Sequence, residues 1–165
     1  MNSIIYIMGV SGSGKTTVGR LLSQQTGIPF FDGDDFHSAA NKEKMNAGIP
    51  LTDEDRQGWL QQLHDLAEKE SAGGGAIIAC SALKEKYRQL LSAGLQKPVW
   101  VFLTGSFDLI AQRLKNRTGH FMPPALLQSQ FDALEIPSDV FTIDIEAEPE
   151  TITEKVWEFL KQQPL

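Results

Sequence analysis

Gly9-Val10-Ser11-Gly12-Ser13-Gly14-Lys15-Thr16 satisfies the spacing GxxxxGK[ST] in full, and each part of that spacing has a chemical use. Glycine at 9, 12 and 14 lets the backbone turn tightly and approach phosphate oxygens with no Cβ in the way. Successive N–H groups from Val10 to Thr17 then form an anion nest at the positive end of a helix. Lys15 supplies a point charge for β- and γ-phosphate oxygens, and the Thr16 hydroxyl is a hard ligand suited to Mg²⁺. A glycine-rich turn that binds nothing does not account for a complete match lying between an apolar strand pattern and a helical one. The motif predicts binding of a nucleotide's phosphates and by itself does not choose between a kinase and a switch GTPase.

A second constellation is Asp32-Gly33-Asp34-Asp35, which follows the short apolar stretch Phe30-Phe31. In an open α/β sheet the C-terminal ends of strands line the ligand crevice, which puts these carboxylates beside the phosphate loop. One can hold Mg²⁺ and another can accept the proton of an attacking hydroxyl. Asp35 reads equally well as a solvated turn residue. A calcium loop is excluded, because Phe36 occupies a ligand position and His37 the obligatory glycine. The apolar run Ala76–Cys80 ends without an aspartate, so Asp32 is the candidate metal carboxylate together with Thr16, and Asp144 at the end of the last strand is its rival.

Cations form the third group. Between Leu109 and Phe131 there is no acidic residue, while Arg113, Lys115, Arg117 and His120 all fall there, in a chain of net charge −6. Such a patch suits the charge that spreads over a transferring phosphoryl group, and Thr118-Gly119 and Pro123-Pro124 bracket it as hinges. Arg117 is a candidate catalytic residue; Lys115 reads as a helix-end charge. Ser81, Lys84 and Arg88 follow the third strand, where substrate contact competes with an N-cap and a solvated helix face. Arg56 offers the forked cation that an anionic acceptor needs. His37, His64 and His120 lack metal-ligand spacing. Cys80, the single cysteine, reads as buried core, and it rules out a disulfide within the chain.

These residues need a frame to hold them. Ser3–Met8, Pro29–Phe31, Ala76–Cys80, Val99–Leu103 and Val140–Asp144 read as strands. Lys15–Gln25, Ala39–Asn46, a helix opened by Thr52 with Asp55 in a capping box, Leu83–Leu91, a Ser106-capped stretch to Asn116, and a last segment carrying Ile152, Val156 and Leu160 read as helices. Alternation of this kind predicts an α/β three-layer fold with a parallel five-stranded sheet. The 165 residues fit one domain, with 37–71 an acceptor-binding insertion and 117–135 a lid. An acidic pI near 5.0 argues against a nucleic-acid partner. No apolar run reaches bilayer length, and Met1–Met8 lacks the basic flank of a signal peptide.

The chain resembles the small gluconokinases of the P-loop type, relatives of shikimate and nucleoside-monophosphate kinases. The resemblance rests on GVSGSGKT at 9–16, FDGDDFHSAANKEKM at 31–45, GIPLTDEDRQGWL at 48–60, ACSALKEKYR at 79–88 and TGHFMPPALLQSQFDALEIP at 118–137. Ser38 and Gly58 stand where that family commonly has proline. The resemblance implies phosphorylation of the 6-hydroxyl of D-gluconate by ATP with Mg²⁺, in a cytoplasmic homodimer. It implies that Asp34 is the base or hydroxyl-positioning group and that Arg117 clamps phosphates. It places His37, Arg56, His120 and the segment Ser81–Arg88 with Lys84 near the acceptor, and Arg113 near the adenine.

A shikimate kinase would keep the catalytic parts and differ in the acceptor segments. A switch GTPase is disfavoured. Asp55-Arg56-Gln57-Gly58 matches DxxG but lies at a helix start, and Asn41-Lys42-Glu43-Lys44 is not a guanine-reading NKxD.

Overall fold

The computed structural model describes residues 3–117 and 122–164. Strand β1 (Ile4–Met8) is apolar at every position because both of its faces are covered. Ile5 and Ile7 enter one core, and Ile4, Tyr6 and Met8 enter the other, as the two-residue period of a strand requires. The first core is closed by Val18 and Leu22 of α1 (Lys15–Thr26) and by Ile152, Val156 and Leu160 of α7 (Pro149–Lys161). The second is closed by Trp59, Leu60, Leu63 and Ala67 of α3 (Asp53–Gly73) and by Tyr87 and Leu91 of α4 (Glu85–Ser92).

β2 (Phe30–Asp32), β3 (Ala76–Ala79), β4 (Val99–Thr104) and β5 (Phe141–Asp144) complete a five-stranded sheet in the order β2-β3-β1-β4-β5, every pair parallel. The expected five parallel strands are all present, each within a residue or two of its expected bounds. β1 is central. The strands that follow it in the sheet, β3 on one side and β4 on the other, are reached by chain running in opposite directions, so a crevice opens at the C-terminal end of β1.

Local chemistry explains where the helices begin. Thr52 Oγ1 accepts from Asp55 N at 3.1 Å while Asp55 Oδ2 accepts from Thr52 N at 2.9 Å, the capping box the sequence predicts. Ser38 caps α2 (Ala39–Asn46) by accepting from Asn41 N at 3.1 Å. Ser106 caps α5 (Phe107–Lys115) in the same manner.

Two expectations change. The helix expected from Leu83 begins at Glu85, and Ser81 does not cap it: Lys84 is the N-cap and makes no side-chain cap bond. Before the helix Ala82 sits in left-handed backbone at φ 45° with its carbonyl accepting from buried Arg88, and Lys84 is still extended. In the 117–135 region a helix that the sequence reading does not name, α6 (Pro124–Ala133), carries Leu126 and Leu127 into the interior. Pro124 starts it, a position where the missing N–H costs nothing.

Candidate active site

The chain leaves Met8 at Gly9 (φ 151°), where a Cβ would lie 2.7 Å from the Leu103 carbonyl oxygen; at Gly12 (φ 80°) one would meet Leu114 Cγ at 2.8 Å. Glycine is therefore demanded twice by close approach and by left-handed backbone. Gly14 is the N-cap of α1, and Lys15 reaches back across the loop to donate to the Val10 carbonyl at 3.1 Å. Burial pulls the Lys15 ammonium below the ordinary lysine range, opposed by the attraction of Asp34. The buried Ser13 hydroxyl has no hydrogen-bond partner among the described residues.

Beside the loop, Thr16 Oγ1 donates to Asp32 Oδ2 at 2.9 Å, and Asp32 Oδ1 accepts from Asp34 N at 3.0 Å. The second contact caps the 3₁₀ turn Gly33–Phe36, so one carboxylate both meets Thr16 and sets the direction of Asp34. Asp144, the rival, is exposed and accepts from Glu146 N at 2.8 Å in its own turn. The Asp34 carboxyl is raised above the usual carboxylate range, chiefly by burial, with Lys15 pulling the other way. A raised carboxyl is the better proton acceptor.

Loop and carboxylates open into one cavity of about 900 Å³. The segment from Ser11 to Thr17 lines one end. Asp34, His37, Arg56, Trp59 and Ser81 line it too, as do Arg113 of α5 and Arg117, two residues past the end of that helix. His37 is buried and stacked on Trp59, with ring centroids 4.1 Å apart and planes 15° apart, while Trp59 Nε1 donates to the Gly33 carbonyl at 2.7 Å. Burial, with Arg56 and Lys42 adding repulsion, lowers His37 to about 4, so its ring is neutral near pH 7. Arg56 Nη1 donates to the Leu51 carbonyl at 2.7 Å and to Tyr87 Oη at 3.1 Å, and its guanidinium lies 5.5 Å from the Tyr87 ring centre. Tyr87 in turn donates to Asp53.

The structure does not bring every expected residue into this space. Lys84 pairs with Asp53 at 3.0 Å and is not part of the cavity wall. Arg88 is buried and donates to the carbonyls of Ala82 (2.7 Å) and Glu135 (2.9 Å) and to the Glu85 carboxylate, so its geometry is that of a brace for the turn after β3. Gly9 and Val10 are not part of the cavity wall, and the Val10 carbonyl accepts from Lys15. Arg113 lines the cavity and also donates to the Ile145 carbonyl. His120 lies outside the described residues. Burial pushes the Cys80 thiol up to about 12, in keeping with the expected inert core role.

Sequence reasoning missed one contact altogether. Gln130 of α6 accepts from Ser11 N at 2.8 Å and donates to Ser11 Oγ at 3.0 Å, gripping the phosphate loop with both ends of its amide. A glutamine 119 positions away carries no local signal of such a partner.

A central strand that feeds a GxxxxGKT loop, a parallel sheet with helices on both faces and a carboxylate pair beside the loop define a P-loop kinase. The profile of the shikimate kinase family matches residues 11–160. The chain is 44% identical over 179 residues to a probable gluconokinase of Mus musculus, covering 96% of this chain and 97% of that one. It is 45% identical over 157 residues to the thermosensitive gluconokinase of Escherichia coli (strain K12), covering 90% and 82%. The crystal structure of a gluconokinase from Sinorhizobium meliloti 1021 superposes with a TM-score of 0.83 at 37% identity, covering 99% and 98%. The chain belongs to the gluconokinase family, within the wider shikimate kinase family.

Proposed function

We propose that the protein transfers the γ-phosphoryl group of ATP to the 6-hydroxyl of D-gluconate, giving 6-phospho-D-gluconate and ADP. The observation that carries this reading is the single cavity that joins Lys15 and Thr16 to Asp34, His37 and Arg56. The phosphate loop and the candidate acceptor residues line the same open cavity, and those acceptor residues offer a cation for a carboxylate and a carboxylate for a hydroxyl. The gluconokinase relatives name the acceptor.

In this reading the loop Gly9–Thr17 cradles the phosphates with the N–H groups that Gln130 and the Val10 carbonyl leave free, and Lys15 neutralises β- and γ-oxygens. Asp34 orients the 6-hydroxyl and takes its proton as the hydroxyl oxygen bonds to the γ-phosphorus. The bond from that phosphorus to the β,γ-bridging oxygen breaks, and ADP leaves with the electron pair. Arg117 meets the charge on the transferring group, and Arg113 with the loop after β5 holds the base. Arg56, His37 and Ser81 hold the acceptor. Segment 37–71 is the acceptor insertion, and 117–135, with His120, is the lid.

The donor set fits a hard cation, since a hydroxyl and a carboxylate oxygen stand 2.9 Å apart at the phosphate loop. Thr16 and Asp32 would hold Mg²⁺, which supplies charge neutralisation at the β- and γ-oxygens. A cytoplasmic homodimer completes the reading, and light scattering at working concentration tests the dimer.

The deciding experiment is a coupled ADP-release assay with Mg·ATP against gluconate, other sugar acids, shikimate and nucleoside monophosphates. Turnover dominated by gluconate is the expected result. Turnover dominated by another panel member overturns the acceptor, and no turnover with any member overturns the kinase reading.

A further inference from the structure

The His37 ring has two nitrogens, and the structure decides which one carries the proton. Asn41 Nδ2 lies 2.8 Å from the Asp55 carbonyl oxygen and 3.4 Å from His37 Nδ1. A backbone carbonyl can only accept, so the Asn41 atom facing it must be the NH₂ group and not the amide oxygen. The same NH₂ group faces His37 Nδ1. That nitrogen must then be the bare acceptor, and the ring proton must sit on Nε2.

Asn41 has little freedom to do otherwise. It is 5% exposed, and its backbone N–H is held by Ser38 Oγ at 3.1 Å. The Asp55 carbonyl belongs to the first turn of α3, which is pinned by the capping box and by Lys44 on Asp55 at 2.9 Å. Trp59 stacks on the face of the imidazole and holds its plane. Nε2 makes no hydrogen bond to any described residue, and the ring lines the same cavity as Arg56.

We infer that Asn41 is a positioning residue that locks His37 as a neutral Nε2–H donor aimed at the carboxylate end of the acceptor. This rests on the acceptor reading proposed above. The physical content is a choice of sign. The Nδ1–H tautomer would present a lone pair from Nε2 to an anion and repel it, whereas the Nε2–H tautomer adds a directed donor beside the Arg56 cation. A neutral donor also leaves the cavity's charge unchanged, so selection is by hydrogen-bond direction and not by charge alone.

The test has two independent parts. Nitrogen-15 correlation spectra of histidine-labelled wild-type protein at pH 7 should show His37 with a protonated Nε2 and a bare Nδ1, whatever the enzyme's substrate. An Nδ1–H tautomer or an imidazolium overturns the inference. In kinetics, Asn41→Ala should raise the KM for gluconate about tenfold, with kcat and the KM for ATP within about threefold of wild type. His37→Gln keeps an amide donor near the Nε2 position, and in that background Asn41→Ala should have little further effect. Additive losses, or equal losses in both substrates' KM, overturn the positioning role. If the spectra show the Nε2–H tautomer but gluconate is not turned over, the lock stands and the acceptor reading falls.

Discussion

The Thr16 hydroxyl donates to Asp32 Oδ2 across 2.9 Å, joining the first turn of α1 to the end of β2. Neither residue is near the other in sequence, and in the proposed reading these two oxygens are the ligands of the triphosphate's metal. Asp32→Asn keeps the shape and removes the charge. We expect kcat to fall about 10²-fold or more, with the Mg²⁺ concentration for half-maximal rate rising and the KM for gluconate nearly unchanged. A magnesium titration of the variant checks this, and an unchanged magnesium requirement removes Asp32 from the metal site.

Asp34 and Lys15 are the next pair to separate. Lys15→Ala should abolish most turnover, because no other described cation reaches across the phosphate loop as its ammonium does. Asp34→Ala should lower kcat about 10²–10⁴-fold if the carboxylate takes the hydroxyl proton. Single-turnover kinetics distinguish the chemical step from release, and a wild-type rate in either variant removes that residue from the mechanism.

Arg56 is held by Leu51 and Tyr87 on one side, leaving the rest of its fork to the cavity. Arg56→Lys should raise the KM for gluconate at least tenfold with little change for ATP, since an ammonium cannot satisfy backbone, phenol and ligand in one plane. Tyr87→Phe should move the same constant in the same direction by a smaller factor. Equal changes in both substrates' KM would contradict the assignment.

Gln130 grips Ser11 through both ends of its amide. Gln130→Leu has similar bulk and makes neither bond, and it should raise the KM for ATP several-fold while leaving the KM for gluconate alone. Faster hydrogen exchange at the Ser11 amide is the accompanying sign, and unchanged exchange there sinks the idea.

His37 makes a prediction in pH. Its folded value, about 4, lies below the ordinary value of 6.5 because burial disfavours the charged ring. Between those values the unfolded chain binds a proton that the folded one refuses, so this residue's contribution makes stability fall as pH drops from 6.5 toward 4. The loss is at most roughly 3 kcal/mol. The difference in melting temperature between wild type and His37→Gln, followed over that window, should grow in the variant's favour as pH falls. A constant difference would contradict it.

Much of the frame was legible because its signals are local. The capping box at Thr52 and Asp55, the Ser106 cap and the apolar strands all follow from residues within a turn or two of one another. So did the phosphate loop, whose glycines are required by backbone geometry at their own positions. α6 was harder to read, because its start lies beside a pair of prolines that also looks like a hinge. Lys84 and Arg88 stayed open between substrate contact and a solvated face for a related reason. A cation after a strand end has the same appearance whether it faces a ligand or a carbonyl, and Arg88 found two carbonyls and a carboxylate.

By itself, then, the sequence determined the kind of chemistry: a nest for phosphates, carboxylates beside it, and parallel strands to carry both. Those depend on backbone conformation and on period, which are properties of short stretches of chain. The tertiary structure decided which carboxylate meets Thr16, which cations reach the cavity, and which nitrogen of His37 holds its proton. Each of those is settled by a partner many residues away, such as Asp32 for Thr16, Tyr87 for Arg56 and the Asp55 carbonyl for Asn41. Hydrogen bonds act over about 3 Å, so only packing, which brings distant residues within that range, can choose among them.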